Sequence, residues 1–477
     1  MSNILLKGAV KPLTYVAVTI GLSFLTPTFF VAAATVGFSL FAPRVVIDTS
    51  FLTIYFLIAC TLYNGFTMFV IGTGRLEQGE DVAHYFSIII PAFNEESVIG
   101  ETLNHVFEME YPSELFEVIV VNDGSTDNTE SIVRNFQKKH SNLKLINVKR
   151  KNGGLGKGAA LNAGFSDFLL TWRGLEIEPR HRWIIGVFDA DAMPKADMLK
   201  KVSFEFRDQC VGGVQTLVRI SNREKSFLAK LQDIEFITFS RVMQFSRTIF
   251  RGSVALGGNG QFIRATALDA TAIIDVKEYW KMNSMTEDLD IGIRLIEKKW
   301  ENRYVGHTAV YQQGVENLHS LFHQRTRWAW GTLQAIRHHV LSLKLWKAGI
   351  SLKKKADVSI YLFTTVVPFL VLLCWVLSGL SLLGIIRIYN FFPWAFTLAN
   401  SFTFFPLIFY GLWKQREEYP LWQIIPLTFI VTAYTYHWIL CMISALIKMV
   451  TQNPSWTKTP RFNETNSILH ASQHLEL

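Results

Sequence analysis

Five long stretches of the chain contain no Asp, Glu, Lys or Arg, and they constrain its possible folds more than any other feature. They cover residues 13–43, 51–74, 359–386, 388–413 and 419–447. Each is longer than the roughly 20 apolar residues that a helix needs to cross a bilayer. The sequence therefore predicts an N-terminal transmembrane hairpin within residues 1–80 and C-terminal transmembrane helices within residues 346–450. A cleaved signal peptide is the alternative for the first stretch, but its apolar core is only about 7–15 residues long.

The composition agrees with a membrane protein and excludes several other classes. Charged residues make up 18% of the chain, against about 25% in soluble proteins. The 49% of hydrophobic residues exclude a disordered or collagen-like chain, and the four widely spaced cysteines exclude a disulfide scaffold and a zinc-cysteine site. The net charge of +8 is compatible with nucleic acid, an anionic membrane surface or an anionic substrate.

Between residues 75 and 356 the sequence has the pattern of a soluble domain. Short runs rich in β-branched residues, at 86–90, 116–121 and 143–148, alternate with helical stretches at 95–110 and 127–140. This alternation predicts βαβ units and a doubly wound, mostly parallel sheet. In such sheets ligands bind beyond the carboxyl ends of the strands, so the polar residues that end each run are the candidates for a site.

Acidic residues end two of these predicted strands. Asp123 follows the run at 116–121, where we expect it to meet a ligand, whereas the later Asp127 is expected to cap the next helix. Asp189 and Asp191 follow a third run at 183–188. Mg²⁺ prefers one or two carboxylates together with substrate phosphates, and this spacing predicts such a site.

Three further segments allow a functional and a purely structural interpretation. Lys157 lies in a glycine-rich stretch that lacks the full phosphate-loop pattern, so it is either a diphosphate contact or part of a mobile loop. Glu287 and Asp288 open a helix, where they either complement its dipole or supply a general base. The segment 324–328 combines Arg and Trp, which suit a membrane-interface anchor or a platform for diphosphate and sugar.

Taken in order, these motifs resemble the family 2 inverting glycosyltransferases. They are Asn-Glu-Glu at 94–96, Asp-Gly-Ser at 123–125, Asp-Ala-Asp at 189–191, Gly-Asn-Gly-Gln at 258–261, Thr-Glu-Asp at 286–288 and Gln-Arg-x-Arg-Trp at 324–328. Within that family the chain is most similar to the membrane-embedded processive synthases of cellulose, hyaluronan, chitin and poly-N-acetylglucosamine. The resemblance spans about residues 85–335 and implies a cytoplasmic α/β domain of the GT-A type over 81–345, inserted between α-helical transmembrane segments.

The resemblance implies a role for each matching residue. Asp288 would be the base, supported by Glu287, and Asp189 and Asp191 would hold the diphosphate through Mg²⁺ or Mn²⁺. Further substrate-binding positions, which would contact the nucleotide, the diphosphate or the acceptor, are Asp123, Lys157, Asn259, Gln261, Gln324, Arg325, Arg327 and Trp328, with Lys458 and Arg461 in a gating-like tail segment. That tail, at 451–477, departs from the form seen in bacterial cellulose synthases.

The implied reaction fits these residue types, because inverting transfer needs one carboxylate as base and a separate pair that binds the metal. The sequence thus predicts a processive enzyme that polymerises a β-linked glycan from a UDP-sugar, UDP-glucose or UDP-N-acetylglucosamine, and moves it across the membrane. The alternative is a non-processive enzyme that glucosylates a membrane lipid, diacylglycerol or a polyprenyl phosphate. A non-catalytic carbohydrate-binding membrane protein would not need Asp288. The expected partners are the UDP-sugar, the glycan or lipid acceptor and membrane lipids, without nucleic acid.

The distribution of lysines predicts the orientation in the membrane. Lys7, Lys11 and the run 353–355 favour a cytoplasmic N-terminus and catalytic domain in a multi-pass plasma-membrane protein. A cytoplasmic tail conflicts with three complete crossings after that domain, so one stretch is re-entrant or interfacial, or a further segment inserts. The segment 225–251 is either an interfacial helix or a plain domain-surface helix.

Overall fold

The computed structural model describes only part of the chain. The described residues are 47–48, 79–80, 84–148, 156–176, 180–249, 253–273, 278–385, 388–389, 402 and 404–452. The predicted N-terminal hairpin and the tail residues Lys458 and Arg461 lie outside them. The chain divides into two compact units, one of residues 1–75 and 351–444 and the other of residues 76–350 and 445–477.

The unit that contains residues 76–350 is built on an eight-stranded sheet. Its strands are β1 (Tyr85–Ala92), β2 (Phe116–Asn122), β3 (Leu143–Asn147), β4 (Trp183–Val187), β5 (Met193–Pro194), β6 (Val211–Ile220), β7 (Gln261–Arg264) and β8 (Glu301–Gln312). Their order is β3-β2-β1-β4-β7-β6-β8-β5. Four of the seven pairings are parallel, and β7 runs antiparallel to both of its neighbours. The predicted mostly parallel sheet is confirmed, with β7 as an antiparallel insertion that the sequence did not predict.

Helices cover both faces of this sheet. They are α1 (Ile99–Phe107), α2 (Thr129–Gln137), α3 (Lys157–Trp172), α4 (Met198–Phe206), α5 (Phe227–Thr238), α6 (Phe245–Ile249), α7 (Ala265–Asp269), α8 (Glu287–Glu297), α9 (Leu318–Ala335) and α10 (Lys344–Lys347). Two π-helical turns, Phe239–Gln244 and Ile336–Leu341, continue α5 and α9. The strands are apolar at consecutive positions because both faces are buried: Ile88 and Ile90 pack in one core and Ile89 in the other.

The segment at 225–251 is part of this unit. The side chain of Asp233 in α5 is fully buried and pairs with Arg219 of β6 through two 2.9 Å contacts. Ile234 and Ile237 of α5 are also fully buried. The helix with these contacts packs against the domain through one face, and whether the segment also lies at a membrane interface stays a prediction.

The other unit contains mainly apolar helices. They are α11 (Leu352–Thr364), α12 (Val367–Leu382), α13 (Phe405–Trp413), α14 (Leu421–Tyr434) and most of α15 (His437–Thr451), beside a parallel pairing of Ile47–Asp48 with Ile388–Tyr389. Among the described residues, the helical stretch Leu421–Thr451 is long and apolar enough to cross a membrane. The pair Leu352–Thr364 and Val367–Ser381, bent by 50°, meets the same criterion if it counts as one span. These helices support a membrane-spanning region only weakly, because core helices of soluble proteins meet that criterion too.

Candidate active site

The carboxyl ends of the central parallel strands bring the predicted acidic residues to one edge of the sheet. Asp123 follows β2, is 3% exposed, and its backbone N–H donates to the carbonyl of Ala92 at the end of β1 (2.9 Å). Asp189 follows the end of β4, and its backbone N–H donates to Oδ1 of Asn259 (3.3 Å). Strands β1, β2 and β4 are parallel neighbours, so these residues lie at the edge where an α/β sheet binds its ligands.

Asp191 and Asn259 are buried and joined to the end of β8. Oδ2 of Asp191 accepts a hydrogen bond from the backbone N–H of Gln313 (3.1 Å). Nδ2 of Asn259 donates to Oε1 of Gln312 (2.9 Å). The sequence did not indicate these two glutamines, because they lie more than 50 residues from their partners and belong to no motif.

The loop before β7 is held by a glutamine that the sequence analysis also missed. Gln215 of β6 accepts from the backbone N–H of Gly257 (2.7 Å) and donates to the carbonyl of Asn259 (2.9 Å). Its side chain is 5% exposed, so these bonds lie in the interior where hydrogen bonds fix geometry most firmly. Gln215 therefore positions the Gly-Asn-Gly-Gln motif.

Lys157 connects the strand-end carboxylates to the acidic pair of α8. Its ammonium forms an ion pair with Asp189 and donates to the carbonyl of Gly258. A Cβ at Gly258 would lie 2.7 Å from Nζ of Lys157 and 3.3 Å from Oδ2 of Asp288, so both side chains converge on this glycine. Burial opposes the charge on Lys157, but Asp189, Glu287 and Asp288 outweigh it and raise the pKa of the ammonium. Lys157, at the start of α3, is thus held by Asp189 and by the carbonyl of Gly258.

Glu287 and Asp288 form a buried acidic pair in the first turn of α8. Burial, reinforced by the neighbouring Asp288, raises the pKa of Glu287 to about 7, against the opposing charges of Lys157 and Arg327. Burial likewise raises the pKa of Asp288, with Lys157 opposing it. The backbone N–H of Leu289 donates to Oδ1 of Asp288 (2.8 Å). A carboxyl whose pKa lies near neutral pH is suited to accept a proton.

Helix α9 holds the turn that leads into this pair. Arg327 donates to the carbonyl of Met285 (3.0 Å), and Oε1 of Gln334 accepts from the backbone N–H of Met285 (2.9 Å). The backbones approach closely, since a Cβ at Gly331 would lie 2.3 Å from Oγ1 of Thr286. Thr286 takes the N-cap position of α8, but its hydroxyl makes no capping hydrogen bond.

The predicted Gln-Arg-x-Arg-Trp residues have different surroundings. Arg325 is fully buried, pairs with Glu235 of α5 (2.7 Å) and lies 4.0 Å from the ring centre of Trp328. It also donates to Oε1 of Gln324 (2.8 Å). Arg327, in contrast, acts electrostatically on Glu287 and Asp288. The structure therefore brings Arg327 to the acidic pair and ties Arg325 to α5.

Gln261, another predicted substrate-binding residue, has a buried side chain in an unusual environment. It begins β7 and is fully buried. Neither its amide nitrogen nor its amide oxygen has a hydrogen-bond partner among the described residues. A buried amide without partners is costly, so a role in binding would account for this position.

A second titratable cluster lies on α8 and the π-helical turn that follows α9. Asp290, His338 and His339 place their ligand atoms within 4.8 Å of one another, close enough to hold a metal ion. Nε2 of His339 lies 3.1 Å from Asp290, and its Nδ1 lies 2.9 Å from Glu297. Burial disfavours the imidazolium, but these two carboxylates outweigh it and raise the pKa of His339. No sequence motif indicated this cluster.

Comparisons with known proteins agree with the predicted resemblance. Residues 83–331 match the family described as "Glycosyltransferase like family 2". The β-monoglucosyldiacylglycerol synthase of Synechocystis sp. is 30% identical over 412 residues, which cover 81% of this chain and 77% of that protein. The poly-β-1,6-N-acetyl-D-glucosamine synthase of Staphylococcus epidermidis is 26% identical over 323 residues, 66% of this chain and 70% of that protein.

A solved structure supports the same fold. The mannosyltransferase PcManGT of Pyrobaculum calidifontis, in complex with GDP-Man and Mn²⁺, superposes with a TM-score of 0.50 and covers 83% of this chain and 97% of its own. At 18% identity this likeness concerns the fold alone. The family match spans more than half of the chain, and the chain therefore belongs to glycosyltransferase family 2 and is a hexosyltransferase with a GT-A-type catalytic fold.

Proposed function

We propose that the protein is an inverting glycosyltransferase that moves a hexose from a UDP-sugar to a hydroxyl group of a membrane lipid of the diacylglycerol type. The observation that carries the reaction is the convergence of Lys157 and Asp288 on Gly258, with Lys157 also bound to Asp189. This arrangement sets a candidate base beside candidate diphosphate-binding groups, as a single displacement requires.

The chemistry assigned to the acidic pair follows from its electrostatics. Asp288 takes the proton of the acceptor hydroxyl as the acceptor oxygen bonds to the anomeric carbon and the bond to the diphosphate breaks, with its electron pair leaving on UDP. Its Oδ1 is held by Leu289, and its Oδ2 faces Gly258. Because the pKa of Glu287 is about 7, the acidic pair gains or loses a proton near neutral pH.

Asp189 and Asp191 have a donor set that suits a divalent metal. One carboxylate is 30% exposed and the other is buried, and Mg²⁺ and similar ions take one or two carboxylates together with substrate phosphates. Bound there, Mg²⁺ or Mn²⁺ would neutralise charge on the departing diphosphate. Lys157, which pairs with Asp189, then lies beside the same phosphates and adds a second positive charge.

The choice of a lipid acceptor rests on the comparisons. The relative from Synechocystis, which aligns over 81% of this chain, is named for glucosylation of diacylglycerol. The guanidinium of Arg325 lies 4.0 Å from the ring centre of Trp328, so it covers one face of the ring and leaves at most the other to a sugar. The second candidate is a processive β-glycan synthase that translocates its product. The 324–328 motif and the poly-N-acetylglucosamine synthase relative favour it.

The uncharged stretches support a place in the plasma membrane. In this proposal residues 1–80 form a transmembrane hairpin, 81–345 the cytoplasmic catalytic domain, 346–450 further transmembrane helices and 451–477 a cytoplasmic tail. The apolar helix Leu421–Thr451 supports this arrangement. The lysine distribution supports the cytoplasmic side for the catalytic domain.

Product analysis tests the proposal. The full chain, purified in neutral detergent with Mn²⁺, receives radiolabelled UDP-glucose or UDP-N-acetylglucosamine, with and without diacylglycerol. We expect one of the two sugars to give a label in the organic phase that depends on added diacylglycerol. A glycosidase-sensitive product of high molecular weight would support the synthase instead, and transfer from neither donor would contradict both candidates.

A further inference from the structure

A cavity of about 420 Å³ lies beside the turn that precedes α8. Its lining residues are Lys281, Asn283, Ser284, Asp290, Gln334, Ala335, Arg337, His338 and Ser342. Asp290 lies two residues after Asp288 on α8, and at 3.6 residues per turn the two side chains leave the helix about 200° apart. The cavity is therefore on the side of α8 that faces away from the candidate base.

The lining of this cavity carries an excess of positive charge. The side chains of Lys281 and Arg337 make no hydrogen bond or ion pair with any residue that the structure describes. Nζ of Lys344 lies 2.9 Å from Nε2 of His338. The one acid in the lining, Asp290, is already neutralised by Arg294 (2.8 Å) and by His339 (3.1 Å). Two cations without partners beside a neutralised acid favour an anionic ligand.

The same charges disfavour a metal ion in the Asp290, His338 and His339 cluster. A metal would have to displace the contacts of Asp290 with Arg294 and His339 and sit beside Lys281 and Lys344. Burial, Lys281, His339 and Lys344 together lower the pKa of His338 to about 4. The basic side chains in and beside the lining thus favour an anion over a cation in this cavity.

Exposed apolar side chains lie next to several of the lining residues along the chain. Met282, Leu341 and Leu343 are 41%, 67% and 52% exposed, and they are sequence neighbours of the lining residues 281, 283 and 342. Exposed apolar side chains around basic ones are typical of surfaces that sit at the headgroup level of an anionic bilayer. A soluble phosphate compound would gain nothing from these exposed apolar side chains.

We propose that this cavity binds the phosphate of an anionic phospholipid headgroup, held by Lys281 and Arg337, with Met282, Leu341 and Leu343 against the lipid. The inference rests on the membrane location in the proposed function. Lys281 belongs to the turn before α8 and Arg337 to the π-helical turn that follows α9, so a bound phosphate ties together the two elements that Gln334 already joins through Met285. The lipid phosphate therefore supports the turn that presents Glu287 and Asp288 without touching them.

A binding measurement without any sugar donor tests this site. The full chain in neutral detergent is titrated with fluorescent short-chain phosphatidylglycerol or phosphatidylcholine, and the dissociation constants are read from anisotropy. We expect phosphatidylglycerol to bind about tenfold or more tightly, since each basic residue near an anionic lipid contributes measurably. The double variant Lys281→Ala/Arg337→Ala should lose this preference. The control Lys139→Ala/Lys195→Ala, which removes the same charge from exposed positions elsewhere, should keep it.

Three outcomes would overturn the proposal. They are equal affinity for both lipids, an unchanged preference in the cavity variant, and displacement of the probe by inorganic phosphate at the lipid's own concentration, which would indicate a site for soluble phosphate. Arg337→Lys, which keeps the charge, should retain the preference and so separates loss of charge from loss of fold. Because no transfer is measured, failure here leaves the proposed reaction untouched, and failure of the transfer assay leaves this binding result unaffected.

Discussion

Lys157 and Glu287 control the charge state of the candidate base from opposite directions. Lys157 favours the ionised forms of both carboxyl groups of the pair, whereas the crowding of Glu287 and Asp288 in a buried turn favours a shared proton. Interacting carboxyl groups titrate as a pair, so activity should follow the titration of both.

The first prediction concerns the acid side of the pH profile. The pKa of Glu287 is raised to about 7, so the pair holds an extra proton below that pH and loses it above. Transfer should therefore rise as the pH increases through about 7. Glu287→Gln removes this titration, and the acid limb of kcat/KM should move to lower pH. Asp167→Asn, which changes a carboxyl that no described hydrogen bond holds, serves as the control. An identical limb in Glu287→Gln and in the wild type would contradict the prediction.

The second prediction concerns Lys157. Lys157→Met removes the charge that lowers the pKa of Glu287 and of Asp288, so the acid limb should move to higher pH. The donor KM should rise about tenfold or more, the loss expected for one charged hydrogen bond to a diphosphate. Both are read from kcat/KM profiles and donor titrations. Lys157→Arg keeps the charge and should return the limb toward that of the wild type. A limb that moves to lower pH in Lys157→Met would refute the assignment.

The positions of site residues could be predicted from the sequence where the residue directly follows a strand. Asp123 and Asp189 were both expected at the edge where parallel strands end and ligands bind, and the structure places both at that edge. Arg325 could not be placed in this way. Its ion-pair partner Glu235 lies 90 residues away, and no periodicity links two helices across that distance.

Helix α9 packs against the turn before α8 and holds it in place. A glycine allows the two elements to approach closely. A Cβ at Gly331 would meet the side chain of Thr286 at 2.3–2.8 Å, and a β-branched side chain in a packed turn cannot easily move away. Gly331 therefore sets the distance between the turn and the helix.

The third prediction follows from this contact. Gly331→Ala should destabilise the catalytic unit by about 1–3 kcal/mol, the usual cost of overpacking, and should reduce kcat by displacing Glu287 and Asp288. Thr286→Ala in the same chain removes the two closest atoms and should restore part of both. Thermal unfolding and transfer rates measure these effects. Gly100→Ala, where the nearest atom is 3.6 Å away, is the matched control. Equal stability of the two glycine variants would contradict the prediction.

The sequence predicted the parallel elements better than the antiparallel ones. The run at 86–90 is apolar apart from Ser87, and it forms the buried central part of strand β1. Strand β7 has only four residues and starts with a glutamine, so its pattern does not differ from that of a loop. Its antiparallel insertion between β4 and β6 is a property of the tertiary fold.

At the scale of the whole molecule, the charged residues are unevenly distributed along the chain. The long uncharged stretches account for its low content of charged residues. The uncharged stretches lie outside residues 76–350, which contain the site, and the basic residues near the site include Lys157 and Arg327. The comparisons with known proteins also changed which of the two candidate acceptors, a growing glycan or a membrane lipid, is favoured. The motifs alone favoured a polymer, whereas the relative aligned over 81% of the chain is named for a lipid product. Motifs around the donor do not encode the acceptor.

The fourth prediction tests the membrane location. Because stretches longer than about 20 apolar residues partition into a bilayer, the full chain should remain in the membrane pellet after an alkaline wash. A peripheral protein would be released by the same wash. Immunoblotting of pellet and supernatant measures the distribution, with a known peripheral protein of the same cells as control. Release of this protein would contradict the proposed transmembrane arrangement.

The role of Asp288 as the base is tested by the Asp288→Asn variant, measured for donor binding and for sugar transfer. This change keeps the size of the side chain and removes its ability to take a proton. We expect a UDP-sugar dissociation constant within about threefold of the wild type and a transfer rate lower by about 10²-fold or more. Near-normal transfer by the variant, with donor affinity intact, would contradict the assignment of Asp288 as the base.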